Sequence, residues 1–302
     1  MVSPVVAGVD GSEESLAAAE WAAREAERRG RSLRLFHAWN WHPGPAGVRV
    51  DAARRRRARQ VLGRAEERIR KACPTVRLEE EQVLGPATTA LLRAADRADL
   101  LVLGSRGLSG FTGFLVGSVA LGTVARATCP VVLVRAGEEA ADEHFPEADG
   151  SPSTRTGYRD VVLGLNVALP CDAVIEFAFR EAQLRRARLR AVYAWQQPSV
   201  LGLGPGEIAL VDDPGRAEEW QSFLSAVLRV WRDKYPEVEV VETVVRDKPS
   251  TALVRAASGA SLLVVGRRPS ARPAGPSTGP VTHAAIHHAG CPVAVVPHEP
   301  HG

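Results

Sequence analysis

The chain has few cysteines and very few lysines. Four cysteines in 302 residues cannot form a disulfide framework, and none of Cys73, Cys129, Cys171 and Cys291 belongs to a CxxC pair. Buried, reduced thiols in a cytoplasmic protein are the expectation. Lys71, Lys234 and Lys248 are the only lysines, yet 38 basic residues nearly balance 35 acidic ones, for a net charge of +3. That balance excludes a general electrostatic pull toward nucleic acid. No cationic segment precedes the short apolar run at the start, so a secretory signal is not expected there. The long uncharged stretch Leu108–Ala125 contains Gly110, Gly113, Gly117, Gly122, Ser109, Thr112, Ser118 and Thr123. It is too polar for a hydrocarbon helix, and no membrane partner is expected. A composition of 45% hydrophobic and 24% charged residues excludes wholesale disorder and indicates a globular chain.

What the chain does contain is itself, written twice. VVAGVD at Val5–Asp10 matches VVLGLN at Val161–Asn166, and Arg24, Glu25 and Ala26 match Arg180, Glu181 and Ala182. Farther along, TALLRAA from Thr89 matches TALVRAA from Thr251, and CPVVLV from Cys129 matches CPVAVV from Cys291. A short insertion separates the two registers in the second copy. The expected domains are 1–135 and 158–302, joined by 136–157, whose acidic and then Ser/Pro/Gly-rich composition reads as a flexible linker.

Within each copy, apolar strand runs alternate with helical patterns. In the first, strands are expected at Pro4–Val9, Ser32–Trp39, Val76–Val83, Leu100–Leu103 and Val131–Val134. Helices fall between them, the first capped by Ser12 and ended by Gly30. This order predicts an α/β protein of two tandem Rossmann-like or flavodoxin-like domains. Each would be a five-stranded parallel sheet with helices on both faces. Ligands of such folds sit at the C-terminal strand ends, at the switch point.

The connection after the fourth strand is unusually long and glycine-rich: GSRGLSGFTGFLVGS, Gly104–Ser118. Its glycines permit close backbone approach, Ser118 brings a hydroxyl to a helix start, and Arg106 brings a cation, which together suit an anion such as phosphate. It is no Walker loop, and the first turn, GVDGS, is no GxGxxG. The spacing Gly104-x2-Gly107-x9-Gly117-Ser118, with GVDGS after the first strand and HAW in the second, resembles the ATP-binding universal stress protein family. The resemblance covers both copies and is similar to the tandem members.

That resemblance implies roles for particular residues. Asp10 would lie by the ribose or a phosphate-bound Mg2+, with Gly8 and Val9 packed near it. Ala38 would meet the adenine through its backbone. Gly104, Arg106 and Gly107 would line the nucleotide, and Gly117, Ser118 and Val119 would cradle the phosphates. The fifth strands would meet across a pseudo-twofold, with a homodimer as a further expectation. Read from the residues alone, the alternative for Asp10 is an N-cap or Asx-turn carboxylate, and the glycine loop at the neighbouring strand favours the ligand role.

The second copy departs from the pattern. Asn166 replaces Asp10, and the motif becomes Gly266-x2-Pro269-x9-Gly279-Pro280, where prolines supply no amide donors. Arg267, Arg268 and Arg272 remain as loose anion attractors. One ATP per chain, in the first copy of a nucleotide-dependent stress-response regulator, is the expected function. A slow ATP hydrolase on the same fold or a nucleotide-independent adaptor are the alternatives. Arg54–Arg57 reads as a solvated helix face, His283 and His287 as a surface pair, and the tryptophans as core or interface. No catalytic triad or carboxylate pair stands out.

Overall fold

Strand and helix alternate along the chain as the repeat implies. The computed structural model describes residues 3–39, 47–105, 116–196, 215–268 and 278–298, and of 47–54 the backbone alone. The first copy contributes β1 (Val5–Gly8), α1 (Glu13–Arg29), β2 (Leu33–Trp39), α2 (Gly47–Ala72), β3 (Leu78–Leu84), α3 (Ala87–Ala95), β4 (Leu100–Ser105), α4 (Ser118–Val124) and β5 (Val131–Arg135). The second contributes β6 (Val161–Gly164), α5 (Asp172–Arg185), β7 (Leu189–Trp195), α6 (Arg216–Lys234), β8 (Val240–Arg246), α7 (Pro249–Ala256), β9 (Leu262–Arg267), α8 (Pro280–His288) and β10 (Val293–Pro297).

Local chemistry sets the boundaries. The Ser12 side chain accepts the Ser15 amide hydrogen bond at 3.2 Å and caps α1, and Gly30 closes the helix at φ 62. Leu16, Ala19, Ala23 and Ala26 share one helical face, and all four are fully buried. In α2, Arg55, Arg56 and Arg57 are exposed while Ala58, Leu62, Ala65 and Ile69 are buried, so the arginine run is a solvated face.

The ten strands form one sheet in the order β3-β2-β1-β4-β5-β10-β9-β6-β7-β8. Pairing is parallel within each copy, and β5 meets β10 antiparallel, with Val293 opposite Leu133, Ala294 opposite Val132 and Val295 opposite Val131. This join lies among buried side chains, each valine or leucine contributing about 1.5–3 kcal/mol. It also removes two apolar edges, leaving the outer positions to β3 and β8. Glu79 and Glu81 of β3, paired with Arg34 of β2, make that edge unattractive to another strand. Two apolar cores lie on the two faces of the sheet, and each is built from both copies.

The segment 136–157, whose composition reads as a flexible linker, is anchored at the buried residues Glu138, Glu143, His144 and Ser153. A short 3-10 turn, Ala140–Glu143, opens with a reciprocal cap between Glu139 and Asp142. Glu143 is 1% exposed and pairs with Arg24 at 2.7 Å and Arg28 at 3.0 Å. His144 then bridges Tyr158 in antiparallel fashion, and the Phe145 amide donates to Gly157 O at 2.9 Å. Buried ion pairs to α1, invisible in local composition, hold the connection against the first copy.

Candidate functional site

Within the first copy the strand order reverses between β1 and β4, so the chain leaves these neighbours in opposite directions. The C-terminal ends of two adjacent parallel strands then part, which opens a crevice for ligands. Gly8 pairs with Phe36 on one side and Leu103 on the other. Val9 and Asp10 therefore emerge between the end of β2, carrying Ala38, and the end of β4, carrying Gly104. Val9 N donates to Phe36 O at 2.9 Å, and Val9 O contacts Nδ1 of His37 at 2.7 Å. His37 thus fixes the turn out of β1, a role that the HAW motif alone does not reveal.

The turn is knit by short polar side chains. Asp10 is exposed, and its Oδ1 accepts from Ser12 N at 3.0 Å and from Ser12 Oγ at 2.6 Å. The Asx-turn reading of Asp10 therefore describes its local geometry. Ser15 Oγ accepts from the amides of Asp10 and Gly11 at 3.3 and 3.2 Å and donates to Ser12 O. Gly11 takes φ +90, where L side chains are strained.

Two of the motif glycines answer to packing. A Cβ on Gly104 would lie 2.6–2.7 Å from the backbone of Glu14 and Ser15, so β4 ends directly against the first turn of α1. A Cβ on Gly8 would come within 2.6 Å of Leu103. Gly117 caps α4 at φ −62, an ordinary backbone angle, and Ser118 and Val119 are exposed in the first turn. A requirement for positive φ at Gly117 is thereby excluded. Arg106 and Gly107 lie outside the described residues. Among the described residues no group of three or more His, Cys, Asp or Glu side chains is placed to hold a metal alone. The four cysteines are free and buried, and burial pushes the Cys129 and Cys291 thiols up to about 12.

In the second copy Asn166 repeats the turn, its Oδ1 accepting from Ala168 N at 3.2 Å. Gly279 caps α8 at φ +79, unlike Gly117, and Pro280 occupies the first helical position. Arg267 is buried and donates to Ala125 O at 2.9 Å and Ala127 O at 2.6 Å, just beyond α4. Its reading as a loose anion attractor is corrected: it ties the two copies together. Trp195 and Trp220 line an open cavity of about 730 Å³ in this copy.

A family model described as "Universal stress protein family" matches residues 1–135 and again 157–297. The chain belongs to the universal stress protein family. Among the curated relatives of this universal stress protein is Universal stress protein Rv2005c of Mycobacterium tuberculosis, 31% identical, with 96% of each chain covered. Universal stress protein Rv2623 of the same species is 32% identical over 96% of this chain and 95% of its own. The crystal structure of a universal stress protein from Archaeoglobus fulgidus superposes with a TM-score of 0.69, covering 97% of this chain and 98% of that one. At 18% identity it speaks to the shared fold. No helix among the described residues is long and apolar enough to cross a membrane.

Proposed function

We propose that this universal stress protein binds one adenine nucleotide, ATP with Mg2+, at the switch point of its first copy and acts as a nucleotide-dependent regulator of a stress response. The observation that carries the reading is the convergence of the glycine-spaced motif with the parting strands β1 and β4. Gly104 ends one of those strands, and Asp10 follows the other by two residues. The backbone of Ala38 meets the adenine, the loop with Arg106 and Gly107 runs along the nucleotide, and Gly117, Ser118 and Val119 receive the phosphates.

The donor set suits a metal that arrives with its nucleotide. Asp10 is an exposed carboxylate directly beyond β1, so it can supply one ligand to Mg2+ while phosphates and water supply the rest. Asp10 being committed in this way, no second carboxylate in the turn orients water at a terminal phosphate, which favours holding the triphosphate over cleaving it. The buried thiols accord with a reducing, cytoplasmic setting.

Calorimetric titration of the purified full-length chain with MgATP should give about one site per chain. Arg106→Ala should weaken it by roughly tenfold, the size of one lost charge-assisted contact. A stoichiometry of zero rejects the reading in favour of the adaptor, and two equivalent sites reject the restriction of binding to the first copy.

A further inference from the structure

The cavity of the second copy occupies the position equivalent to the switch point, but its chemistry is its own. Its volume of about 730 Å³ falls within the range of small-molecule sites, roughly 300–1,000 Å³. Tyr193, Trp195 and Trp220 form part of its lining, and the Tyr193 and Trp220 rings pack at 5.1 Å with a 55° tilt. Arg216 and Arg268 also line it, and no Asp or Glu stands among the described lining residues. The described lining is therefore partly aromatic, and its charged groups are cationic.

The same residues are poorly suited to a metal-bound triphosphate. Asn166 stands where the first copy has Asp10, and its amide oxygen is turned to Ala168 N. Pro280 lines the cavity without an amide hydrogen, so the first turn of α8 cannot repeat a phosphate cradle. Thr282 Oγ donates to Gly266 O at 2.9 Å and is committed to closing β9 onto α8. Among the described lining residues, an aromatic wall with two arginines and no acidic side chain matches a flat ring bearing one anionic group. The ring stacks on indole, and guanidinium meets the carboxylate.

We infer that the cavity of the second copy is a binding site for a planar aromatic monoanion of the arylcarboxylate class, distinct in chemistry from a nucleotide triphosphate. The inference does not depend on ATP binding in the first copy.

The probe is 2-naphthoate, titrated into the full-length protein by calorimetry, with the neutral 2-naphthylmethanol as its charge-free counterpart. One naphthoate should bind per chain, more tightly than the alcohol, and saturating MgATP should leave it in place. Arg268→Gln, at an exposed position, should weaken naphthoate about tenfold and leave the alcohol unaffected. Trp220→Leu should weaken both probes, and Trp220→Phe should restore them. Absent or unsaturable binding overturns the inference, as does equal affinity for the two probes, displacement by MgATP, or indifference to both the Arg268 and Trp220 changes. A chain that binds naphthoate but no ATP refutes the nucleotide reading alone.

Discussion

Arg185 of the second copy lies 2.8 Å from Glu25 of the first, and neither side chain reaches solvent. The repeat supplies the reciprocal contact, since Arg29 and Glu181 hold the matching positions and form the ion pair in the opposite sense. Glu181 also meets Arg185, and Arg29 meets Glu25 and Asp99. Burial alone pushes Glu25 up, but Arg185, Arg28 and Arg29 overcome it and hold its carboxyl well below the ordinary range. Glu181 is shifted up, by burial and by the neighbouring Glu25 charge, against Arg29 and Arg185. The cluster joins α1 to α5 across the seam.

Arg185→Met should therefore destabilise the chain by about 3–5 kcal/mol, because it leaves buried carboxylates short of a cation. Adding Glu25→Gln should recover part of that loss. Urea denaturation of the single and double variants measures both quantities. Additive losses would show that the two residues are not coupled.

Glu138 gives the stability a pH dependence of unusual sign. Burial, with Asp142 and Glu143 nearby, pushes its carboxyl up from 4.5 to about 8. The folded chain keeps this proton through a window in which the unfolded chain has released it. Unfolding thus sheds a proton there, and the Glu138 contribution to stability falls as pH rises from about 4.5 to about 8. Glu138→Gln should flatten that part of the profile and raise the melting temperature most near pH 8. Thermal melts across the range test this, and parallel curves for the two proteins would refute it.

Gly104→Ala should cost about 1–3 kcal/mol even without nucleotide, since the added methyl meets the backbone of Glu14 and Ser15. Melting of the unliganded variant separates this packing effect from lost ligand contact. An unchanged melting temperature would return Gly104 to a purely ligand-lining role.

The separate halves, 1–135 and 158–302, should self-associate, because each uncovers an apolar edge strand, β5 or β10, that the intact chain pairs. Sedimentation velocity should show dimers or larger species for both. Two well-behaved monomers would mean that the seam contributes little.

Much of the fold is legible in the repeated strand segments, because Val5, Val6 and Ala7, like Val161, Val162 and Leu163, are buried and read as short apolar runs. The Ser12 cap and the Gly30 stop are equally local and equally readable. What escaped the sequence depends on distant partners. The connection 136–157 reads as flexible by composition, and only the approach of Arg24 and Arg28 makes Glu143 a buried anchor. Gly104 reads as a ligand glycine until α1 is seen against it. Trp195 and Trp220 read as core or interface; Trp195 is buried, and the folded second copy shows that both also line an open space. Arg267 looks like a free cation beside a degenerate motif, yet its partners are carbonyls of the other copy.

The antiparallel meeting of β5 and β10 also fixes where the two crevices face. Every strand of the first copy runs parallel to β5 and every strand of the second parallel to β10, so their C-terminal ends lie on opposite rims of one continuous sheet. A molecule seated at one rim faces away from a molecule seated at the other. A large partner covering one mouth leaves the second open to solvent. The sheet itself and the buried charges joining α1 to α5 are what connect the two rims.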